Sequence, residues 1–161
     1  MSKSPSRDTT TESVDDYLKA LFHLGSEGKK NVSGGAVAQR LSVAPASVTN
    51  MIQKLAAAKL PFVLYERHDG ARLTPRGRRR ALEIIRHHRL IETFLHRELG
   101  YPIDELHDEA ERLEHFISES FEDRIAEKMG HPHVDPHGQC IPAKDGSMPE
   151  SHGLKCFCIR S

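Results

Sequence analysis

His107, Glu111, Glu114 and His115 follow one another at intervals of four, three and one in a stretch, Glu105 to Met129, that holds neither Gly nor Pro. Such a stretch reads as helix, and positions i, i+4, i+7 and i+8 of a helix share one face. Two carboxylates and two imidazoles in one stripe are side chains that hold a divalent cation. Leu106, Ala110, Leu113, Phe116, Ile117 and Phe121 give the same helix an apolar face for a core, so the polar stripe borders packed surface. Carboxylates partly removed from water need a positive partner there. The plainer reading is a solvated acidic face with incidental histidines; four ligand types in register argue against it. His88 and Glu92 repeat the i, i+4 spacing earlier in the chain.

The chain that positions these groups has 161 residues, 37% of them hydrophobic, enough for one good core and a small second one. Its zero formal net charge conceals an asymmetry. Residues 1–90 carry 16 Lys and Arg against 8 Asp and Glu, and residues 91–161 carry 7 against 15. A basic front half suits phosphates and an acidic back half suits cations. No run of 18 apolar residues and no hydrophobic signal core are present, which predicts a cytoplasmic protein with no membrane partner. Cys140, Cys156 and Cys158 are odd in number and late in the chain, so no disulfide framework is expected.

In order, Met1 to Thr10 is polar and expected to be flexible. Thr9 to Ser13 can cap a helix running to about Leu24, with Val14, Tyr17, Leu18, Leu21 and Phe22 inward. Ser33 can cap a second helix, Gly34 to Leu41, and Pro45 opens a third that runs to about Ala58. Two short helices across a tight turn, with Ala38 and Val43 where they touch and Val48, Ile52 and Leu55 inward, describe a helix-turn-helix. Its second helix then shows Ala46, Ser47, Thr49, Asn50, Gln53 and Lys54, the short hydroxyls, amides and base that a major groove accepts.

Phe62–Glu66 and Ala71–Thr74 flank His68-Asp-Gly70 as a hairpin, and a hairpin in this place is a wing whose Arg67 and Arg72 can lie along the phosphates. Thr74-Pro75 opens a fourth helix that ends at Gly100. Its Arg76, Arg78, Arg79 and Arg80 are expected to add to the positive field, while Leu82, Ile85, Leu90, Ile91 and Leu95 pack. From His131 to Pro142 the chain is too rich in Pro, His and Gly for a regular element. His131, His133, His137 and Cys140 there match no common zinc spacing. No phosphate loop, nucleophile elbow or HExxH pattern occurs.

Taken together, Asp16-Tyr-Leu, Val37-Ala-x-x-Leu41 through Val48-Thr-x-Met51, Leu73-Thr-Pro-x-Gly77, His88-Arg-Leu-x-Glu92 and His107-Asp-Glu-Ala-Glu111-x-x-Glu114-His115 resemble the iron- and manganese-dependent repressor family of the diphtheria toxin repressor and manganese transport regulator type. The resemblance covers roughly residues 12–142. It implies a mainly α-helical protein: a winged helix-turn-helix over 11–75, a helical metal-binding and dimerisation domain over 76–140, and a tail from 141 to 161 in which the family's SH3-like domain is absent or truncated.

It further implies two metal sites per protomer. The primary one uses Asp16, Glu111, Glu114 and His115; the ancillary one uses His88, Glu92 and His107. The family's iron-responsive branch has Met and Cys where this chain has Asp16 and Glu111, so the set here is oxygen and imidazole, which suits Mn²⁺ over softer ions, with Fe²⁺ as the alternative. Lys19 stands where manganese regulators with a compact binuclear site have Glu, which favours the more separated arrangement. The implied function is metal-activated binding of a homodimer to a palindromic double-stranded DNA operator, repressing metal uptake, with no enzymatic activity and no small organic substrate. The alternatives are a di-metal carboxylate enzyme, against which stands the i, i+4 rather than i, i+3 spacing of Glu and His, and a metal-independent winged-helix regulator.

Overall fold

The computed structural model of the protein describes residues 11–148. It is mainly helical, with six α-helices and a two-stranded sheet among those residues. The chain divides into two compact units between Ala81 and Leu82.

In the first unit, α1 (Glu12–Leu24) starts where the Thr11 hydroxyl accepts from the Val14 N–H, and it buries Val14, Tyr17, Leu18, Leu21 and Phe22 as their spacing predicts. The Ser33 hydroxyl caps α2 (Gly34–Leu41), which ends on Ser42 in a left-handed conformation. Helix α3 (Pro45–Ala57) begins on its proline. Val37, Ala38, Val48, Ile52 and Leu55 close the pair, whereas Val43 is 37% exposed and not sealed at the contact. Strands β1 (Val63–Glu66) and β2 (Gly70–Leu73) pair antiparallel, with Tyr65 opposite Ala71 and Leu64 opposite Arg72. Gly70 (φ +100°) turns the hairpin against the isolated bridge Val32–Ala71; a Cβ there would meet the Val32 carbonyl oxygen at 2.3 Å, so only glycine fits.

The arginines that open α4 (Pro75–Leu99) correct the expected positive field. Arg80 is buried and forms a two-pronged pair with Asp15, Nε to Oδ1 at 2.8 Å and Nη2 to Oδ2 at 2.9 Å. Arg78 reaches Glu27 at 3.0 Å, and Arg76 lies over the Phe62 ring while donating to the Leu60 carbonyl. Of the four, Arg79 alone is exposed. Charge counting could not foresee that three guanidinia are spent holding the unit together.

In the second unit the rest of α4 packs through Leu90 on Ile125, Ala126 and Ile141, and through Ile91 and Leu95 on Leu106 and Ala110. These are two separate contacts, and they explain the main departure from the expected single long helix. Helix α5 (Leu106–Leu113) follows a 3-10 turn (Ile103–Glu105) and stops; α6 (Glu119–Lys128) starts afresh, with the Ser118 hydroxyl accepting from the Phe121 N–H. Glu114 and His115 therefore sit in the link rather than on a helical stripe. Phe116 and Phe121, offered by periodicity as core, are 75% and 44% exposed.

Beyond α6, Val134 bridges Cys140 and folds 131–142 into a hairpin-like loop. Cys140 is buried. The expected flexible N-terminus, Cys156, Cys158 and most of the tail lie outside the described residues.

Candidate metal centre

His88 stands at the middle of the second unit's polar cluster. Helix α4 places it one turn before Glu92, and its Nε2 lies 3.0 Å from Glu92 Oε1. Its Nδ1 lies 2.5 Å from Oε2 of Glu114 and 4.0 Å from Oε1 of Glu111. His107, at the start of α5, stands edge-on to His88 with ring centroids 5.1 Å apart, and its nitrogens lie 4.0 Å from Glu92 and from Glu111. His115 Nε2 is 3.3 Å from Glu114 Oε1. Two groupings result, His88–Glu92–His107 and His88–Glu111–Glu114, each offering ligand atoms within 4.8 Å of one another. The break between α5 and α6 thus brings Glu114 and His115 to the histidines of α4 by a turn, not by helical register.

A third grouping, Glu92–Asp135–His137, escaped the sequence reading. Its signal was spread over 45 positions, and the loop returns to α4 where Arg89 donates to the Cys140 carbonyl and Ile141 packs on Leu90. His137 Nδ1 lies 3.3 Å from Glu92 Oε2. Asp135 Oδ1 accepts from the main-chain N–H groups of His137 and Gln139, while its buried Oδ2 has no hydrogen-bond partner; Arg89 Nε stands 4.0 Å away. Burial, reinforced by the Glu92 charge, pushes the Asp135 carboxyl up against the pull of its hydrogen bonds and Arg89. His131 and His133 join none of these groupings.

The electrostatics are those of a site short of positive charge. Burial works against a charged His88 ring, yet hydrogen bonds to Glu114 and Glu92 carry it up to about 9. Glu92, despite burial, is held below the usual carboxylate range by His88 and His137. The donors are carboxylate oxygens and imidazole nitrogens without sulfur, which fits a hard to borderline divalent ion such as Mn²⁺.

Beside the cluster, Glu122 of α6 accepts from His87 and Arg86. Those bonds outweigh burial and bring its carboxyl to about 2 from an ordinary 4.5. A depressed carboxylate stabilises the fold above its unfolded pKa and loses that contribution as pH falls through the folded value. At about 1.4 kcal/mol per unit, Glu122 is worth on the order of 3 kcal/mol at neutral pH. Urea melts of wild type and Glu122→Gln should therefore differ above pH 5 and converge towards pH 2; a constant gap across that window would contradict the assignment.

In the first unit, Asp16 sits half-buried on α1. Ala46, Ser47, Thr49, Asn50, Gln53 and Lys54 are all exposed on α3, and Arg67 and Arg72 are exposed on the wing. Thr49 donates its hydroxyl to the Pro45 carbonyl at 3.2 Å, so it faces outward chiefly with its acceptor and methyl groups.

Residues 9–71 match the family model described as "Iron dependent repressor, N-terminal DNA binding domain", and residues 74–143 match "Iron dependent repressor, metal binding and dimerisation domain". The chain is 37% identical over 119 residues to the HTH-type transcriptional regulator MntR of Bacillus pumilus, covering 73% of this chain and 79% of that protein. It is 32% identical over 131 residues to the iron-dependent repressor IdeR of Mycobacterium tuberculosis, covering 81% of this chain and 56% of that one. Among solved structures, a manganese-dependent transcriptional repressor in complex with manganese superposes with a TM-score of 0.75 at 44% identity, over 84% of this chain and 61% of that chain. This chain therefore spans less than two thirds of that repressor.

Proposed function

This chain belongs to the iron-dependent repressor family of metal-responsive transcription regulators, and from that premise we propose that it is a manganese-activated, dimeric repressor of metal-uptake genes, with Fe²⁺ as the alternative ion. The observation that carries this reading is the clustering of His88, Glu111 and His107 about the buried carboxylates of Glu92 and Glu114 in the unit that matches the metal-binding domain. The ligand set is His88, Glu92 and His107 for one ion, and Glu111, Glu114 and His115 for the other, with Asp16 of α1 added by the sequence motif. The unpartnered oxygen of Asp135 favours a variation in which Glu92 turns instead to Asp135 and His137.

A divalent cation would supply the positive charge these carboxylates lack. The chain's own residues do the rest. Glu92, Glu111 and Glu114, which repel one another, tolerate one another only around positive charge, so ion occupancy selects one arrangement of the segments that carry them. The domain at 11–75 reads DNA through Ala46, Ser47, Thr49, Asn50, Gln53 and Lys54 in the major groove and Arg67 and Arg72 on the phosphates. The domain at 76–140 dimerises through apolar side chains left exposed in the single chain, among them Phe116, Phe121 and Leu113. Two reading heads then require a palindromic operator.

The role is binding rather than catalysis, exercised in the cytoplasm where the DNA is. No helix among the described residues is long and apolar enough to cross a membrane. The test is an electrophoretic shift on the DNA upstream of the chain's own gene and of metal-transport genes, titrated with Mn²⁺, Fe²⁺ and Zn²⁺ separately. A shift that needs Mn²⁺ or Fe²⁺ is the expected result; identical binding with and without the ions would sink the reading.

A further inference from the structure

His87 belongs to none of the ligand groupings, yet it is fully buried beside them. It precedes His88 on α4 and so points away from the ligand face. Its Nδ1 lies 3.1 Å from the main-chain carbonyl oxygen of Glu114, and its Nε2 lies 3.0 Å from Oε2 of Glu122. The ring therefore spans the two groups, with one nitrogen on the Glu114 carbonyl and the other on the Glu122 carboxylate. Arg86 holds the other Glu122 oxygen and also donates to the Pro142 carbonyl at 2.8 Å.

What His87 grips is the link between α5 and α6. That link carries Glu114 and His115, and no helix continues through it to hold them. Within it the main-chain bonds are the closing ones, Glu114 N–H to Ala110 and Phe116 N–H to Leu113, and Phe116 itself points outward. Ligand atoms on a turn are placed only as well as the turn is anchored, and the anchoring groups around a metal site matter almost as much as its ligands.

We propose that His87 is a positioning residue for the cation centre: by bridging the Glu114 carbonyl and the Glu122 carboxylate, it locks the α5–α6 link so that Glu114 and His115 face His88. The proposal rests on the cation-binding reading above, and the experiment separates the two. Mn²⁺ is titrated into the full chain and followed by electron paramagnetic resonance, where loss of the free-ion signal counts bound ion and the bound-ion spectrum reports ligand symmetry. His87→Gln has its hydrogen-bonding atoms at one end only and cannot span both partners as the ring does; it should weaken Mn²⁺ binding by about 10- to 100-fold and change the bound-ion spectrum. His87→Arg, whose guanidinium nitrogens can reach both the carbonyl and the carboxylate, should recover most of the affinity. Melting of the metal-free variants follows the fold separately. If the His87 variants do not fold, Glu122→Gln, which weakens the far anchor, carries the test and should reduce affinity and alter the spectrum in the same sense. Wild-type affinity and spectrum in these variants, beside a His115→Ala protein that has lost Mn²⁺, would overturn the role of His87 alone. No Mn²⁺ uptake by the wild type would overturn both.

Discussion

Glu114→Ala will lower Mn²⁺ affinity by about 100-fold or more, beyond the upper end of what losing an outer-shell partner costs. Glu114 is fully buried, and its two oxygens stand 2.5 Å from His88 and 3.3 Å from His115. Its loss takes away a carboxylate that meets both imidazoles at once. Metal-stimulated DNA binding should disappear in the same variant. The metal-free protein should keep its helical circular dichroism, because the helices on either side of Glu114 pack through their own apolar contacts. Calorimetric affinity within a few-fold of wild type would remove Glu114 from the centre.

The second large effect falls on stability and lies in the first unit. Arg80→Met should destabilise it by about 3–5 kcal/mol, the cost of leaving a buried charge without its partner. Asp15 and Arg80 are 1% and 6% exposed and share two hydrogen bonds between α1 and the start of α4. Removing the guanidinium leaves Asp15 in a place where water cannot replace the lost donors. The double variant Asp15→Leu/Arg80→Met should recover much of the loss, since burying two apolar groups is often no worse than burying an ion pair. Urea unfolding of wild type, Asp15→Leu, Arg80→Met and the double variant measures this. A double variant as unstable as the sum of both singles would show that the pair is not the unit of stability. Because Asp15 is the neighbour of the proposed ligand Asp16, loosening this pair should also cost Mn²⁺ affinity.

Local pattern carried a good deal of this. Thr11, Ser33, Pro45 and the Asp69-Gly70 turn mark their element boundaries because caps, proline and turn glycines act on the main chain within a few residues. The inward residues of α1 and α3 follow from period alone, since one face of a surface helix must be dry. His88, Glu92, His107, Glu111 and Glu114 were legible as ligand types because each pair lies within two helical turns. Their order and spacing also carried the family resemblance, which the matches over 9–71 and 74–143 bear out.

Three features lay beyond that reach. The helix expected to run unbroken to Met129 stops at Leu113, because α5 and α6 each pack on a different part of α4 and a single straight rod cannot serve both. Asp135 and His137 join Glu92 because Arg89 and Leu90 of α4 hold the 131–142 loop, a long-range pairing that no local period announces. Arg80 reads as surface charge until α1 is laid against it.

The sequence by itself determined most element boundaries, the ligand-type side chains of α4 and α5, and which face of α3 is left exposed, since propensity, capping and side-chain chemistry are properties of near neighbours. The tertiary structure alone decided where the long acidic stretch breaks, which arginines are buried in ion pairs, and that His87 stands between Glu114 and Glu122. Those outcomes depend on contacts between residues tens of positions apart, and only the packing of one helix on another sets them.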